Sequence, residues 1–130
     1  MSYNDFVRRF RDDQEGSSSI EFLFWVPVMV MFLTMVTDAT LLMHEQQNLY
    51  NAARDASRQV ALGQKTSDEA EEALIERFEF EELTPEVLIE DGFVTTSISV
   101  PFQEVTHISG LFLNGNLSAK VSMWVENAES

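Results

Sequence analysis

The strongest hydrophobic pattern in the chain is an apolar run near the N-terminus. Residues 22–43 are almost entirely apolar, and as a helix they would be about 33 Å long, enough to cross a hydrocarbon core of about 30 Å. A secretory signal would have a shorter apolar core and an A-x-A-like end, which Thr37-Asp38-Ala39 matches poorly. A core helix of a soluble protein rarely needs so long a run. The pattern therefore predicts a membrane-spanning helix at about residues 20–43, beginning with Phe22.

A narrower apolar stripe continues the helical period beyond Met43. It is built mostly from small residues at three- and four-residue steps: Leu42, Leu49, Ala53, Ala56 and Val60. Gly63 is suited to the position just after a helix end. One long helix is predicted from about Ser19 to Leu62, within a segment 17–63. Pro27 should kink this helix or unwind its first turn.

A second, acidic helix is predicted to open with a capping box formed by Thr66 and Glu69. Ala70, Leu74 and Phe78 form its apolar stripe, and it should end before Pro85. Its other faces are strongly acidic, but the segment lacks the alternating acids and central glycine of an EF-hand. A solvated acidic face is expected rather than a calcium site.

The hydrophobic period changes to two near the C-terminus. Residues 93–100 and 117–125 alternate as two strands, the first opened by the turn at Asp91-Gly92 and the second by the turn at residues 114–116. The loop 102–113 between them is rich in apolar residues. It could be a contact surface or lie against a membrane, but the expected role is to fill the core. The predicted fold is α+β: the long helix, the short acidic helix, and a small antiparallel β-hairpin or sheet within a domain 64–130.

Two carboxylates in the apolar run need an explanation. Asp38, together with Thr34 and Thr37, marks a polar stripe and is interpreted as a residue at the membrane interface. Glu21 stands at the start of the run, where an unpaired carboxylate is costly and usually has a partner or a function. The small, polar residues before it indicate a boundary.

Charge and composition narrow the possible functions. The formal net charge is −14, which disfavours nucleic-acid binding, and there is no cysteine for disulfides or thiol catalysis. His44 and His107 have no metal-ligand spacing, and no nucleophile or phosphate-loop motif is present. An enzyme, a metal site and a cofactor are therefore not predicted. The arginines at positions 8, 9 and 11 predict a cytoplasmic N-terminus and an external C-terminal part.

The order of several motifs resembles the TadE/TadF-like pseudopilins of the tight-adherence (Tad, Flp) pilus system, and most closely TadE. The resemblance covers roughly residues 8–63 and 93–126. Its N-terminal part is Arg8-Arg9-Phe10, then Glu15-Gly16-Ser17-Ser18-Ser19-Ile20-Glu21-Phe22, then Pro27. Its C-terminal part is Val100-Pro101-Phe102-Gln103-Glu104-Val105, then Gly110-Leu111-Phe112, then residues 117–126.

The resemblance implies that the chain is a substrate of a prepilin peptidase. Residues 1–16 would be a cytoplasmic leader, Gly16 would precede the cut, and Ser17 would become the mature N-terminus. The new α-amino group has an unperturbed pKa of about 7.7 to 8.0, so it would be largely cationic and could pair with Glu21, within one chain or between subunits. Pairing between subunits would set their axial register.

Three functions follow as alternatives. The leading one is a processed, single-pass minor pseudopilin of the bacterial inner membrane with a periplasmic domain, which helps to initiate or assemble a pilus. Its partners would be the membrane, the peptidase, other pilins and pseudopilins and the assembly platform, with no small-molecule substrate. The second is an uncleaved inner-membrane adaptor, and the third is a soluble domain released by ordinary signal peptidase.

Overall fold

The computed structural model describes residues 3–11 and 14–125 and has the predicted α+β class. The chain consists of two compact units, and the boundary between them in the sequence lies between Val36 and Thr37. The helices and strands follow in the order α1 Tyr3–Arg11, α2 Gln14–Ala61, α3 Ser67–Arg77, β1 Thr84–Glu90, β2 Phe93–Pro101, α4 Phe102–Val105, α5 Ser109–Phe112 and β3 Asn116–Trp124.

The first unit contains α1 and the N-terminal part of α2. Helix α1 lies in the segment interpreted as a leader, for which no secondary structure had been predicted. Helix α2 begins at Gln14, five residues before the predicted start, and it continues through Pro27. Its first turn is therefore not unwound. The hydroxyl of Thr34 donates to the carbonyl of Val30 at 2.9 Å, so this polar side chain is satisfied by its own helix.

The apolar side chains of this unit face outward. From Ile20 to Val36 the large apolar residues are between 40% and 75% exposed. The core helix of a soluble protein would hide such a surface, whereas none of the most apolar window of α2 is buried. Among the described residues, α2 is the one helix with the length and composition to cross a membrane.

The second unit has a core made from the rest of α2 and an antiparallel sheet. The predicted small-residue stripe is confirmed: Leu49, Ala53, Ala56 and Val60 are buried, and Leu42 is half-buried beside them. Val94, Ile98 and Val100 of β2 are fully buried in the same cluster. This compact unit starts at Thr37 and includes the C-terminal part of α2, which supplies one side of its core, while the functional division into a segment 17–63 and a domain 64–130 stays a prediction.

Local signals set the helix ends as the sequence predicted. Gly63 has a φ of 69°, its N–H donates to the carbonyl of Val60, and the N–H of Gln64 donates to that of Gln59. These two bonds form a Schellman motif that closes α2. The capping box between Thr66 and Glu69 opens α3, with both reciprocal hydrogen bonds present.

The C-terminal end of α3 and its acidic surface differ from the prediction. The helix ends at Arg77, so Phe78 is an extended C-cap residue rather than part of the helical stripe. The carboxylate of Glu71 accepts a hydrogen bond from the N–H of Val87 at 2.8 Å. The acidic face is thus not only solvated, because one of its carboxylates ties α3 to β1.

The sheet has three strands in the order β1-β2-β3, and not the two that the alternation predicted. β1 pairs with β2 from Thr84 opposite Ser99 to Glu90 opposite Phe93. Asp91 and Gly92 form the two-residue turn between them, with φ of 51° and 80°, as an Asp-Gly hairpin turn requires. The turn was predicted, but its preceding strand was not.

One buried polar contact joins α2 to the sheet. The hydroxyl of Ser57 donates to the hydroxyl of Thr96 at 2.7 Å, and both side chains are fully buried. Since buried polar groups are costly unless they are paired, this bond favours one alignment of helix and sheet.

Candidate functional site

The residues predicted for processing lie on the exposed surface of α2 in the first unit. A Cβ added to Gly16 would have no atom within 4 Å, so packing does not require glycine there. Ser17 and Glu21 are exposed as well. In the uncut chain the nitrogen of Ser17 is part of a peptide bond, so its predicted charge pair with Glu21 cannot form before cleavage. That pairing stays a prediction.

The other residues predicted for the membrane helix fall into different environments. Phe22 is exposed and Pro27 lies within the continuous helix α2, both in the first unit. Asp38 belongs to the second unit and is completely buried. The polar stripe is therefore not a shared exposed face, and the interpretation of Asp38 as a residue at the membrane interface stays a prediction.

Four hydrogen bonds hold the carboxylate of Asp38, and all of them come from one loop. The backbone N–H groups of His107, Ile108 and Ser109 donate to its two oxygens at 3.1, 3.0 and 2.7 Å. The hydroxyl of Ser109 donates to Oδ2 at 2.9 Å. We call this arrangement the Asp38 clamp, and we call residues 106–113, which it holds, the clamped loop.

The geometry of the clamp suits an ionised carboxylate. An ionised carboxylate accepts hydrogen bonds and donates none, and here every contact is a donor directed at it. Hydrogen bonds to a charged group are stronger than neutral ones, which offsets the cost of removing the charge from water. The three consecutive N–H groups also lie at the start of α5, where a chain has amides without helical partners. The clamp thus gives hydrogen-bond partners both to the carboxylate of Asp38 and to the backbone amides of the loop.

Close packing gives the clamped loop its shape. A Cβ on Gly110 would lie 2.5 Å from Oγ1 of Thr106 and 2.9 Å from Cα of Gln103, so only glycine lets α5 approach α4 this closely. The hydroxyl of Thr106 donates to the carbonyl of Phe102 at 2.9 Å, which closes the end of α4. The two short helices therefore form one compact corner.

The loop 102–113 was expected to fill the core with its apolar side chains, but only some of them are buried. Val105 is buried and Ile108 is half-buried. By contrast, Leu111, Phe112 and Leu113 are exposed to 77%, 75% and 52%. The loop buries its polar backbone against Asp38 and presents its large apolar side chains outward.

A second carboxylate, on α4, connects the two short helices to another part of the domain. Glu104 of α4 accepts hydrogen bonds from the N–H groups of Glu81 and Glu82, at 2.8 and 2.7 Å. It links the loop to the segment between α3 and β1. Sequence reasoning missed this role, because an acid in an acidic chain gives no signal of a partner more than 20 residues away.

Within residues 3–11 and 14–125, no group of three or more histidine, aspartate and glutamate residues could hold a metal ion. His44 and His107 are both exposed. The most extensive polar contact described above is a structural one, in which the carboxylate of Asp38 on α2 holds the clamped loop.

Comparison with known protein families finds a match for part of the chain. Residues 16–58 match the family model described as TadE-like protein, and the match covers about a third of the chain. It starts at Gly16 and includes the apolar run, Asp38 and most of the small-residue stripe, but not the sheet. No curated protein and no solved structure gives a significant match. The match supports a relationship of residues 16–58 to the TadE-like family, which is a family of structural proteins associated with the Tad pilus.

Proposed function

We propose that the chain is a minor pseudopilin that a prepilin peptidase cuts after Gly16 and that acts in the initiation or assembly of a Tad/Flp-type pilus. It crosses the inner membrane once through the N-terminal part of α2. The leader is cytoplasmic and the α+β domain is periplasmic. Its partners are the peptidase, other pilins and pseudopilins, and the assembly platform.

The observation that carries the proposal is the outward-facing apolar surface of residues 20–36 inside a TadE-like match. These side chains have no protein core around them in the described chain, and a bilayer supplies the apolar environment that they lack. The match begins at Gly16, the residue that the motif places before the cut. Gly16 and Ser17 are exposed, as a peptide bond that enters a protease must be.

Glu21 has a specific role in this proposal. Cleavage creates an ammonium group at Ser17, four residues before Glu21, where the helix enters the apolar region. A charge within a membrane helix is costly, and pairing with an opposite charge reduces that cost. A contact between the amine of one subunit and Glu21 of its neighbour would also define how far two helices are displaced along their axes.

The test of the assembly role is Glu21→Gln, which keeps the shape of the side chain and removes its charge. We expect the variant to be inserted and cleaved normally but to lose co-purification with other pilins and to support no pili. Glu76→Gln, which removes one charge from the exposed surface of α3, is the matched control and should assemble normally. Normal piliation with Glu21→Gln would exclude an assembly role, and uncleaved protein would assign Glu21 to peptidase recognition.

Orientation follows from the arginines that precede the apolar run. Arg8 and Arg9 favour retention of the N-terminus in the cytoplasm. A reporter that works only in the periplasm should be active when it is fused after Ser130. Activity of a cytoplasm-only reporter at this position would reverse the orientation.

An uncleaved inner-membrane adaptor is the second candidate. It would share the membrane segment and the periplasmic domain, and it differs in retaining residues 1–16. Both candidates contain the matched segment 16–58, so the presence or absence of residues 1–16 in the purified protein distinguishes them.

A further inference from the structure

The clamped loop exposes three consecutive large apolar side chains. Leu111, Phe112 and Leu113 are each more than half exposed. Single exposed apolar residues are common on proteins, but an adjacent group of large ones usually marks a contact surface. What this surface contacts depends on where the loop is held.

The Asp38 clamp holds the loop against the second residue of the second unit. Only Thr37 separates Asp38 from Val36, the last residue of the uniformly exposed apolar segment. Residues 20–36 account for about 26 Å of helix, whereas a hydrocarbon core is roughly 30 Å thick. A bilayer that begins at Ile20 would therefore end close to Asp38, at the level of the clamp.

The charge pattern of the loop fits a lipid surface. Residues 105–119 contain no aspartate, glutamate, lysine or arginine, in a chain with a net charge of −14. Anionic lipid headgroups repel acidic protein surfaces, so this uncharged stretch can approach them more closely than the neighbouring acidic residues Glu104, Glu81 and Glu82 can. A carboxylate without partners is costly at the edge of the hydrocarbon, and the four hydrogen bonds on Asp38 reduce that cost.

We propose that Leu111, Phe112 and Leu113 insert into the outer interface of the membrane, and that the Asp38 clamp sets their depth. This inference rests on the proposed membrane-spanning function. The occupant of the exposed surface is lipid, and contact with a second protein is the alternative that the experiment must distinguish. An apolar loop at this depth would limit how the domain tilts on the membrane.

The experiment uses the absence of cysteine from the chain, which allows a single spin label to be placed anywhere. Full-length variants Phe112→Cys, Trp25→Cys and Ile75→Cys are labelled and reconstituted in vesicles of phosphatidylethanolamine and phosphatidylglycerol. Oxygen concentrates in the bilayer and a nickel chelate stays in water, so their relative collision rates report depth. Ile75 is the matched control, because it is an exposed apolar residue on α3.

We expect the ratio of oxygen to nickel collisions to be several-fold higher for Phe112→Cys than for Ile75→Cys, and highest for Trp25→Cys. A Phe112→Cys ratio equal to that of Ile75→Cys would overturn the inference. Protection of the same label from both reagents would overturn it as well and would indicate contact with a second copy of the chain. Failure of Trp25→Cys to report lipid would instead refute the membrane-spanning function.

A second variant tests the clamp. Asp38→Asn keeps the size of the side chain but replaces one acceptor oxygen with a donor group, so it cannot accept all four hydrogen bonds. In this background the oxygen-to-nickel ratio at Phe112→Cys should fall toward that of Ile75→Cys, while the ratio at Trp25→Cys stays unchanged. An unchanged ratio at Phe112→Cys would show that Asp38 does not set the depth of the loop.

Discussion

At the scale of single residues, Asp38 and Gly110 show how a polar group and a missing side chain determine one loop. Asp38 is buried because three backbone amides and one hydroxyl satisfy it. Gly110 permits the close approach of α5 to α4. Close packing of α5 on α4 therefore explains why glycine stands at position 110, at the start of the motif Gly110-Leu111-Phe112.

The first prediction concerns this glycine. Gly110→Ala forces a methyl group against the backbone of Gln103, so it should lower the free energy of unfolding of the domain by about 1 to 3 kcal/mol, a typical cost of overpacking. Denaturation of the full-length protein in detergent, followed by tryptophan fluorescence, measures the change. Asn51→Ala, at an exposed position of the same compact unit, is the control. Equal effects from both variants would contradict the packing role.

Sequence reasoning at this scale succeeded only where the partner of a residue was close in the chain. Thr66 and Glu69 are three residues apart, so their capping box could be predicted. Asp38 lies 69 to 71 residues before the amides that it binds, and no local pattern indicates such a contact. The available signal was the cost of an acid in an apolar run, which requires a partner without identifying it.

At the scale of elements, helix α2 combines two surfaces with different neighbours. Its N-terminal part exposes large apolar side chains, whereas its C-terminal part buries a stripe of small ones against the sheet. Small residues such as Ala53 and Ala56 let the sheet lie close to the helix. The hydrogen bond between Ser57 and Thr96 then fixes the alignment.

The second prediction tests this close packing. Ala53→Leu adds a large side chain at a fully buried position and should destabilise the domain by about 1 to 3 kcal/mol or more. Asn51→Leu, at an exposed position of the same helix, should change the free energy of unfolding by no more than about 0.5 kcal/mol. Equal tolerance of both substitutions in a denaturation series would show that the stripe is not a packed interface.

The elements differed in how clearly the sequence revealed them. The stripe on α2 and the alternation in β2 and β3 reflect one buried face, and both were predicted from periodicity. β1 has a single buried residue, Val87, while the apolar Leu88 and Ile89 are exposed. With Pro85 also within it, the strand has no alternation to detect, and pairing with β2 is what defines it.

At the scale of the whole molecule, one helix connects a membrane-compatible segment with a small acidic domain. The domain is held to α2 by its core, by the Ser57 bond and by the Asp38 clamp, and it begins directly where the exposed apolar surface ends. Cleavage after Gly16 would therefore alter the N-terminus without removing any part of the domain.

The central claim is that the functional chain begins at Ser17, and the intact mass of the protein purified from membranes tests it most directly. The proposal predicts a mass equal to that of residues 17–130, and Gly16→Arg, which places a bulky charge beside the bond, should shift the mass to that of the uncut chain. A wild-type protein that retains residues 1–16 would contradict processing and favour the adaptor. A chain that begins near Ala39 would contradict the membrane anchor itself.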